Sequence, residues 1–191
     1  MFDDVTDHLN SAGAIAVIPT DTVYGVVARA ADTAAVERLY HLKRREHKPG
    51  TLIAASIEQL IVLGIKARYL KAVEQFWPNP ISVIIPCGPE LEYLHQGVGS
   101  LAIRIPKDTI LNKLTMATGP LLTSSANQPG EPPATTIDQA KAYFGDAVDR
   151  YVDGGDLSSR QPSTIIRVVD DAIEIIREGA VKISENGRIA A

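Results

Sequence analysis

The chain has 191 residues, a hydrophobic share of 45%, a charged share of 22% and a formal net charge of −4. That length predicts one domain over residues 1–191, and the acidic balance argues against a strongly basic nucleic-acid surface. Cys87, the single cysteine, excludes an intramolecular disulfide. No stretch approaches the roughly 20 apolar residues of a membrane span, and MFDDVTDHLN has no apolar signal core, so a cytoplasmic protein is expected.

In chain order, Val5 to Ala12 reads as an opening helix closed by Gly13. Ala14 to Ile18 has the length and branching of a buried strand, which Pro19 should stop because proline cannot donate to a sheet ladder. Four hydrogen-bonding side chains follow, Thr20, Asp21, Thr22 and Tyr24, and then apolar sequence resumes. Such a polar cluster reads equally as a turn bonding its own backbone or as a ligand loop at a strand end. A helix capped by Asp32 or Thr33 should run to about Arg44. Lys43 lies seven residues after Val36, hence on the inward face, where it either snorkels outward or aims into a cleft. Thr51 to Ala55 is a second buried strand, and Ser56 with Gln59 caps the helix after it.

A further helix is expected from Ala67 to Phe76, then a rigid Trp77-Pro-Asn-Pro80 turn and a strand from Ile81 to Ile85. Gly88 to Ser100 shows no clear period. Leu101, Ile103 and Ile105 face one side of the next strand, so Arg104 faces the other. There it needs a carboxylate partner, an exposed face or an anionic ligand. Asp108 caps a helix carrying Ile110, Leu111 and Leu114; Pro120 to Thr123 is a strand opening into a long polar loop, Ser124 to Thr136. Thr136 with Gln139 caps the next helix, which Gly145 ends. Asp149 to Asp153 is a short strand, and Ser163 to Val169 with Ala172 to Arg177 reads as a hairpin joined by Asp170-Asp171.

The chain lacks a G-x-x-x-x-G-K-[ST] loop, a G-x-G-x-x-G turn after a strand and a G-x-S-x-G elbow. His8, His41, His47 and His95 with Cys87 show no metal-ligand spacing. What remains is hydroxyls and cations at expected strand ends: Thr20, Thr22, Tyr24, Lys43, Arg45, Arg104, Ser125, Asn127, Ser163 and Arg177. Hydroxyls with guanidinium groups suit an anionic small ligand such as an amino acid or a nucleotide.

Together these segments resemble the YrdC/TsaC family of threonylcarbamoyl-AMP synthases, short single-domain type, over about Ala14 to Gly179. Pro-Thr-Asp-Thr-Val-Tyr-Gly (19–25) is similar to the family's Pro-Thr-x-Thr-x-Tyr-Gly loop. Lys43-Arg44-Arg45 and Ser125-Ala126-Asn127 resemble its K-x-R and S-x-N signatures, and Trp77-Pro-Asn-Pro80 its Trp-Pro-Gly-Pro turn. Ala102-Ile-Arg-Ile-Pro106, Pro162-Ser-Thr-Ile-Ile166 and Ile176-Arg-Glu-Gly179 match three further segments in order. Glu46, Asn79, Pro162 and Glu178 depart from the pattern. Glu46 would oppose a phosphate at that site unless it turns outward.

The resemblance implies an open, twisted mixed α/β sheet flanked by helices, of the YrdC/RibB type. It implies formation of threonylcarbamoyl-AMP and pyrophosphate from L-threonine, bicarbonate and ATP, for the threonylcarbamoyl-adenosine modification of tRNA by downstream transfer enzymes. Lys43, Arg45 and Arg177 would then hold the ATP phosphates, with Lys43 and Arg45 catalytic through their charge. Ser125 and Asn127 would position the nucleotide. Arg104 would grip the threonine carboxylate, and Thr20, Thr22, Tyr24, Thr123 and Ser163 would line that pocket. Mg2+ is expected with ATP, without a carboxylate cluster committed to it. Alternatives are a non-catalytic RNA-binding or ribosome-associated module on the same fold, and a related carbamoyl-transfer enzyme with another substrate.

Overall fold

The computed structural model describes residues 2–170, 172–184 and 188–189. A first helix, α1 (Asp3–Leu9), leads into a hairpin of β1 (Ile15–Pro19) and β2 (Tyr24–Arg29). Then come α2 (Thr33–Lys43), β3 (Thr51–Ile53), α3 (Ile57–Leu63), α4 (Ala67–Lys71), β4 (Ile81–Pro86), α5 (Glu92–His95) and β5 (Ser100–Arg104). The rest is α6 (Thr109–Thr118), β6 (Leu121–Ser125), α7 (Ile137–Phe144), β7 (Arg150–Tyr151), β8 (Thr164–Val169) and β9 (Ala172–Arg177). Among the described residues the strands form one mixed sheet in the order β7-β1-β2-β6-β3-β5-β4-β8-β9.

Helix starts follow the local capping chemistry. Asp32 accepts from Ala35 N at 3.0 Å, and Asp108 from Ile110 N and Leu111 N at 2.9 and 2.8 Å. Gln59 and Gln139 each return a side-chain oxygen to the backbone before the cap, at Ala55 N and Thr135 N.

Several boundaries differ from the sequence reading. β1 ends at Pro19 as expected, but with the proline itself as its last residue, paired with Tyr24 at the hairpin end. Tyr24 to Arg29, read only as resumed apolar sequence, is a strand buried between β1 and β6. The stretch from Ala67 to Phe76 breaks into α4 and a 3₁₀ turn, and the unpatterned segment after Gly88 contains α5. The opening helix runs from Asp3 to Leu9 rather than from Val5 to Ala12. Asp171, expected in the last hairpin turn, lies outside the described residues.

Because side chains alternate along a strand and paired residues share a face, the register divides the molecule into two layers. One face carries Val26, Leu52, Val83, Ile103 and Leu122, packed with Val36, Leu39, Leu60, Leu70 and Leu94 of α2 to α5. The other begins as apolar surface, Ala16, Ile18, Val27, Ile53 and Leu121, under α1 and α6. Farther across, the same face turns polar: Thr51, Thr123, Ser125, Ala102 and Arg104. Among the described residues none from a helix lines this part. The segment 152–163 then crosses six strands of the sheet, from β7 at one edge to β8 near the other.

Candidate active site

The polar part of that face is the floor of a cavity of about 250 Å³. Thr20, Thr22 and Tyr24 come from the first hairpin, Thr123 and Ser125 from β6, and Arg104 from β5; Ser163 and Arg177 come from the last hairpin, and Arg45 from beyond α2. The site therefore lies on a concave sheet face as well as at strand ends, where the sequence reading had put it. Two glycines make the floor accessible. A Cβ at Gly25 would stand 2.5 Å from Thr123 Oγ1, and one at Gly50 2.6 Å from the Thr123 carbonyl.

Arg45 reaches the cavity because α2 ends in a left-handed residue, Arg44 (φ 47°), which reverses the chain after Lys43. Gln96 braces the loop that follows. Its side chain donates to the Arg45 carbonyl at 2.9 Å and accepts from Lys48 N at 3.1 Å, while its own carbonyl meets His47 Nδ1 at 2.9 Å. Glu46 is exposed and lines a neighbouring groove, outside the cavity that Arg45 enters.

Lys43 does not snorkel; it is 2% exposed. Its ammonium donates to the Ser125 carbonyl (2.7 Å), to Asn127 Oδ1 (3.0 Å) and to the Asn127 carbonyl. These acceptors use all three of its hydrogens. Ser125 Oγ also donates to Asn127 Oδ1 at 2.7 Å, and Asn127 Nδ2 ties back to the Glu131 and Gln128 carbonyls. The K-x-R and S-x-N segments thus meet, with Lys43 holding the start of the 125–134 loop. Burial, with the Arg45 charge second, lowers the Lys43 pKa to about 8.

Arg104 is buried, its Nη2 on Asp21 Oδ1 at 2.9 Å and its Nη1 within 3.3 Å of Ser82 Oγ. Ser82 and Ser163 hydroxyls share a hydrogen bond of 2.9 Å. Arg177 donates Nε and Nη2 to the Ser163 carbonyl, at 3.2 and 2.7 Å, and reaches Ser163 Oγ at 3.2 Å. A polar chain, Asp21–Arg104–Ser82–Ser163–Arg177, therefore spans the floor. Arg177 is an exposed residue whose guanidinium turns under the cavity wall. Desolvation there, followed by the Arg104 and Arg45 charges, lowers its pKa. Such mutual pressure among cations marks a place that an anion would relieve.

The threonine hydroxyls divide. Thr20 Oγ1 donates to the Val23 carbonyl at 2.7 Å, accepts from Thr22 N at 3.2 Å, and lies 3.1 Å from Thr22 Oγ1. Tyr24 is fully buried, and its hydroxyl faces away from the floor: it accepts from Gly154 N and donates to the Gly155 carbonyl, both at 2.8 Å. That anchors the 152–163 segment over the first hairpin, where Arg160 also donates to the Thr20 carbonyl at 2.7 Å.

Four participants were not singled out from sequence. Asp21 was visible as a polar loop residue, but its partner is remote in the chain. Ser82 had a signal, a lone hydroxyl in the apolar run of β4 on the side opposite Ile81, Val83 and Ile85. Gln96 and Arg160 carried none. Among the described residues no group of three or more His, Cys, Asp and Glu side chains is arranged to hold a metal ion. Mg2+ carried on nucleotide phosphates needs no such group.

A family model, Sua5/YciO/YrdC, described as "Telomere recombination", matches residues 8–179. The chain belongs to this family. It is 33% identical to the threonylcarbamoyl-AMP synthase of Marinobacter nauticus over 168 residues, covering 83% of this chain and 86% of that protein. Among solved structures, Pyrococcus abyssi Sua5 complexed with L-threonine superposes with a TM-score of 0.81 at 28% identity, over 93% of this chain. The chain spans 54% of the length of that Sua5 chain. Escherichia coli YciO, at 22% identity, shares the fold with a TM-score of 0.77 over 92% of this chain and 87% of that one. The mixed open sheet is thus the Sua5/YciO/YrdC fold, and no helix among the described residues is long and apolar enough to cross a membrane.

Proposed function

We propose that this member of the family is an L-threonylcarbamoyladenylate synthase, a nucleotidyltransferase. It would join L-threonine, bicarbonate and ATP into threonylcarbamoyl-AMP with release of pyrophosphate, in supply of tRNA threonylcarbamoyl-adenosine modification. The observation that carries this is the convergence of Arg45, Arg104 and Arg177 on one hydroxyl-lined cavity, with Ser125 in its lining and Lys43 and Asn127 bonded together behind Ser125. The likeness to a threonine-bound Sua5 supports the amino acid as one ligand.

In this reading the cavity is too small for both substrates whole, so ATP lays only its phosphates against it. Arg45 and Arg177 receive the phosphate oxygens and offset charge that develops at the attacked α-phosphorus. Lys43 acts through its charge and by fixing the Ser125–Asn127 turn beneath the nucleotide. Arg104 orients the amino acid carboxylate. With no lining hydroxyl bonded to a histidine or carboxylate base among the described residues, rate enhancement rests on holding the carbamate in line with the α-phosphorus, shielded from water. The test is direct: incubate the protein with ATP, bicarbonate and L-threonine, follow pyrophosphate, and identify the adenylate by mass. Threonine-dependent pyrophosphate with the matching adenylate is expected. Pyrophosphate formed equally without threonine would assign the site to another acceptor.

A further inference from the structure

Hydroxyls on the wall of a cavity are ordinarily taken up by protein groups, and most here are. Thr20 and Thr22 bond each other, Tyr24 holds the Gly155 carbonyl, Ser125 gives to Asn127, and Ser163 meets Ser82 and Arg177. Ser124, the register partner of Val26, turns to the helix-covered face. Thr51 and Thr123 are the exceptions. Both line the cavity, and among the described residues neither hydroxyl has a hydrogen-bond partner. Neither is sealed away: the buried unpartnered side-chain atoms are Asp21 Oδ2, Arg29 Nε, Arg104 Nε, Asn112 Oδ1 and Ser124 Oγ. The two threonine oxygens are thus open to the cavity.

Thr51 of β3 and Thr123 of β6 are register partners, so their Cβ atoms stand about 5 Å apart on one face. On that face Ser125 follows Thr123 along β6, and Arg104 follows Ala102, the other register partner of Thr51, along β5. β6 runs opposite to β3, and β5 runs with it. Ser125 and Arg104 therefore flank the threonine pair on opposite sides, each roughly 7 Å away along the strands. In the reading above, the nucleotide lies toward Ser125 and the amino acid carboxylate toward Arg104. What must lie between them is the carboxyl group that bicarbonate contributes, which links the threonine nitrogen to the α-phosphorus. A carboxyl group offers two acceptor oxygens to two O–H donors, and Arg45 and Arg177 on the same cavity favour its charge. We propose that Thr51 and Thr123 form the binding site for bicarbonate and for the carbamate made from it. This rests on the threonylcarbamoyl-AMP reading and extends it to the one substrate for which that reading names no residue. Thr51 is the sharper test, because its hydroxyl has no other assignment.

The experiment follows pyrophosphate against bicarbonate concentration in degassed buffer, with threonine and ATP saturating, beside calorimetric titration of threonine. Thr51→Val keeps the shape and removes the hydroxyl. Its bicarbonate KM should rise about tenfold, the scale of one hydrogen bond to a charged group. Its threonine affinity should stay within about threefold and its melting temperature should not fall, since no protein contact is lost. Thr51→Ser should restore the bicarbonate KM to within about threefold of the unmodified value. An unchanged bicarbonate KM in folded Thr51→Val overturns the proposal. So does a drop in threonine affinity that accounts for the whole loss, which would give the hydroxyl to the amino acid instead. Thr51→Ala carries the same expectations if valine is not tolerated. If the unmodified protein forms no threonine-dependent pyrophosphate at any bicarbonate concentration, the synthase reading itself falls and takes this inference with it.

Discussion

Two Arg–Asp pairs in this molecule invite comparison. Arg38 grips Asp149 with both Nη atoms at 2.7 Å and gives further bonds to the Gly13 and Ala147 carbonyls. Asp149 in turn accepts from Ile15 N at 3.1 Å and faces His8 at 3.3 Å. Burial pushes the Asp149 carboxyl up, but the Arg38 bonds, the Ile15 N–H and the Arg38 and His8 charges outweigh it and hold the pKa down. Every strong group there has a partner, and the result ties α1, α2 and β1 to the segment entering β7. Arg104 and Asp21 are more deeply buried and less completely bonded. The satisfied pair is a brace. The less completely bonded pair places Arg104 in the wall of the cavity that Arg45 and Arg177 also line.

That contrast can be broken at three levels. Arg104→Lys keeps a positive charge beside Asp21 but loses the planar fork. L-Threonine affinity should drop about a hundredfold, within the range for a buried charge contact, while ATP affinity shifts less than about threefold. Equal loss of both in titration would erase the distinction between amino acid and phosphate cations.

Lys43 is the intermediate case, fully bonded yet desolvated, with a pKa of about 8. Its charged form is needed in the proposed mechanism, so turnover should fall by about tenfold per pH unit above that value. Stability should move oppositely. Between about 8 and the ordinary lysine value the unfolded chain binds the extra proton, so the Lys43 contribution to stability rises with pH there. Parallel loss of activity and melting temperature over that window would indicate unfolding instead. A Lys43→Met control should lose the activity limb.

The smallest effect belongs to the brace. Arg38 and Asp149 side chains are 39% and 28% exposed, so Arg38→Ala should lower stability by only ~1 kcal/mol, about 2–4 °C in melting temperature for a domain of this size. The threonine KM should stay unchanged; a raised KM would make this pair functional too. Asp149, with its lowered pKa, contributes stability above the ordinary carboxylate value and loses it as pH falls through the lowered one.

Much of this architecture was legible where the signal is local. Caps at Asp32, Ser56, Asp108 and Thr136 announce helices because their side chains bond backbone within three residues. Alternation in β5 correctly separated Arg104 from Leu101 and Ile103. The first hairpin was half-missed because Thr20 to Val23 carries none of the Gly or Asn signals of tight hairpin turns. The four-residue α5 is too short to show a period. The candidate residues could be named one by one from sequence, but not their gathering on one surface, because that face exists only once β6, β3 and β5 pair. Asp21 illustrates the limit: its meaning comes from an ion pair 83 positions away in the chain.

The long crossing between β7 and β8 has a consequence of its own. Seven interstrand steps amount to about 34 Å at ordinary sheet spacing, whereas the residues available reach about 45 Å fully stretched. A turn at Leu157–Arg160 takes up part of that margin. Surface connections usually absorb gained or lost residues with little penalty, but this belt has little slack. Its length meters where Ser163 enters the cavity wall, so shortening it by a few residues would drag that wall, and the Arg177 that leans on it, out of alignment with the hairpin at the far side.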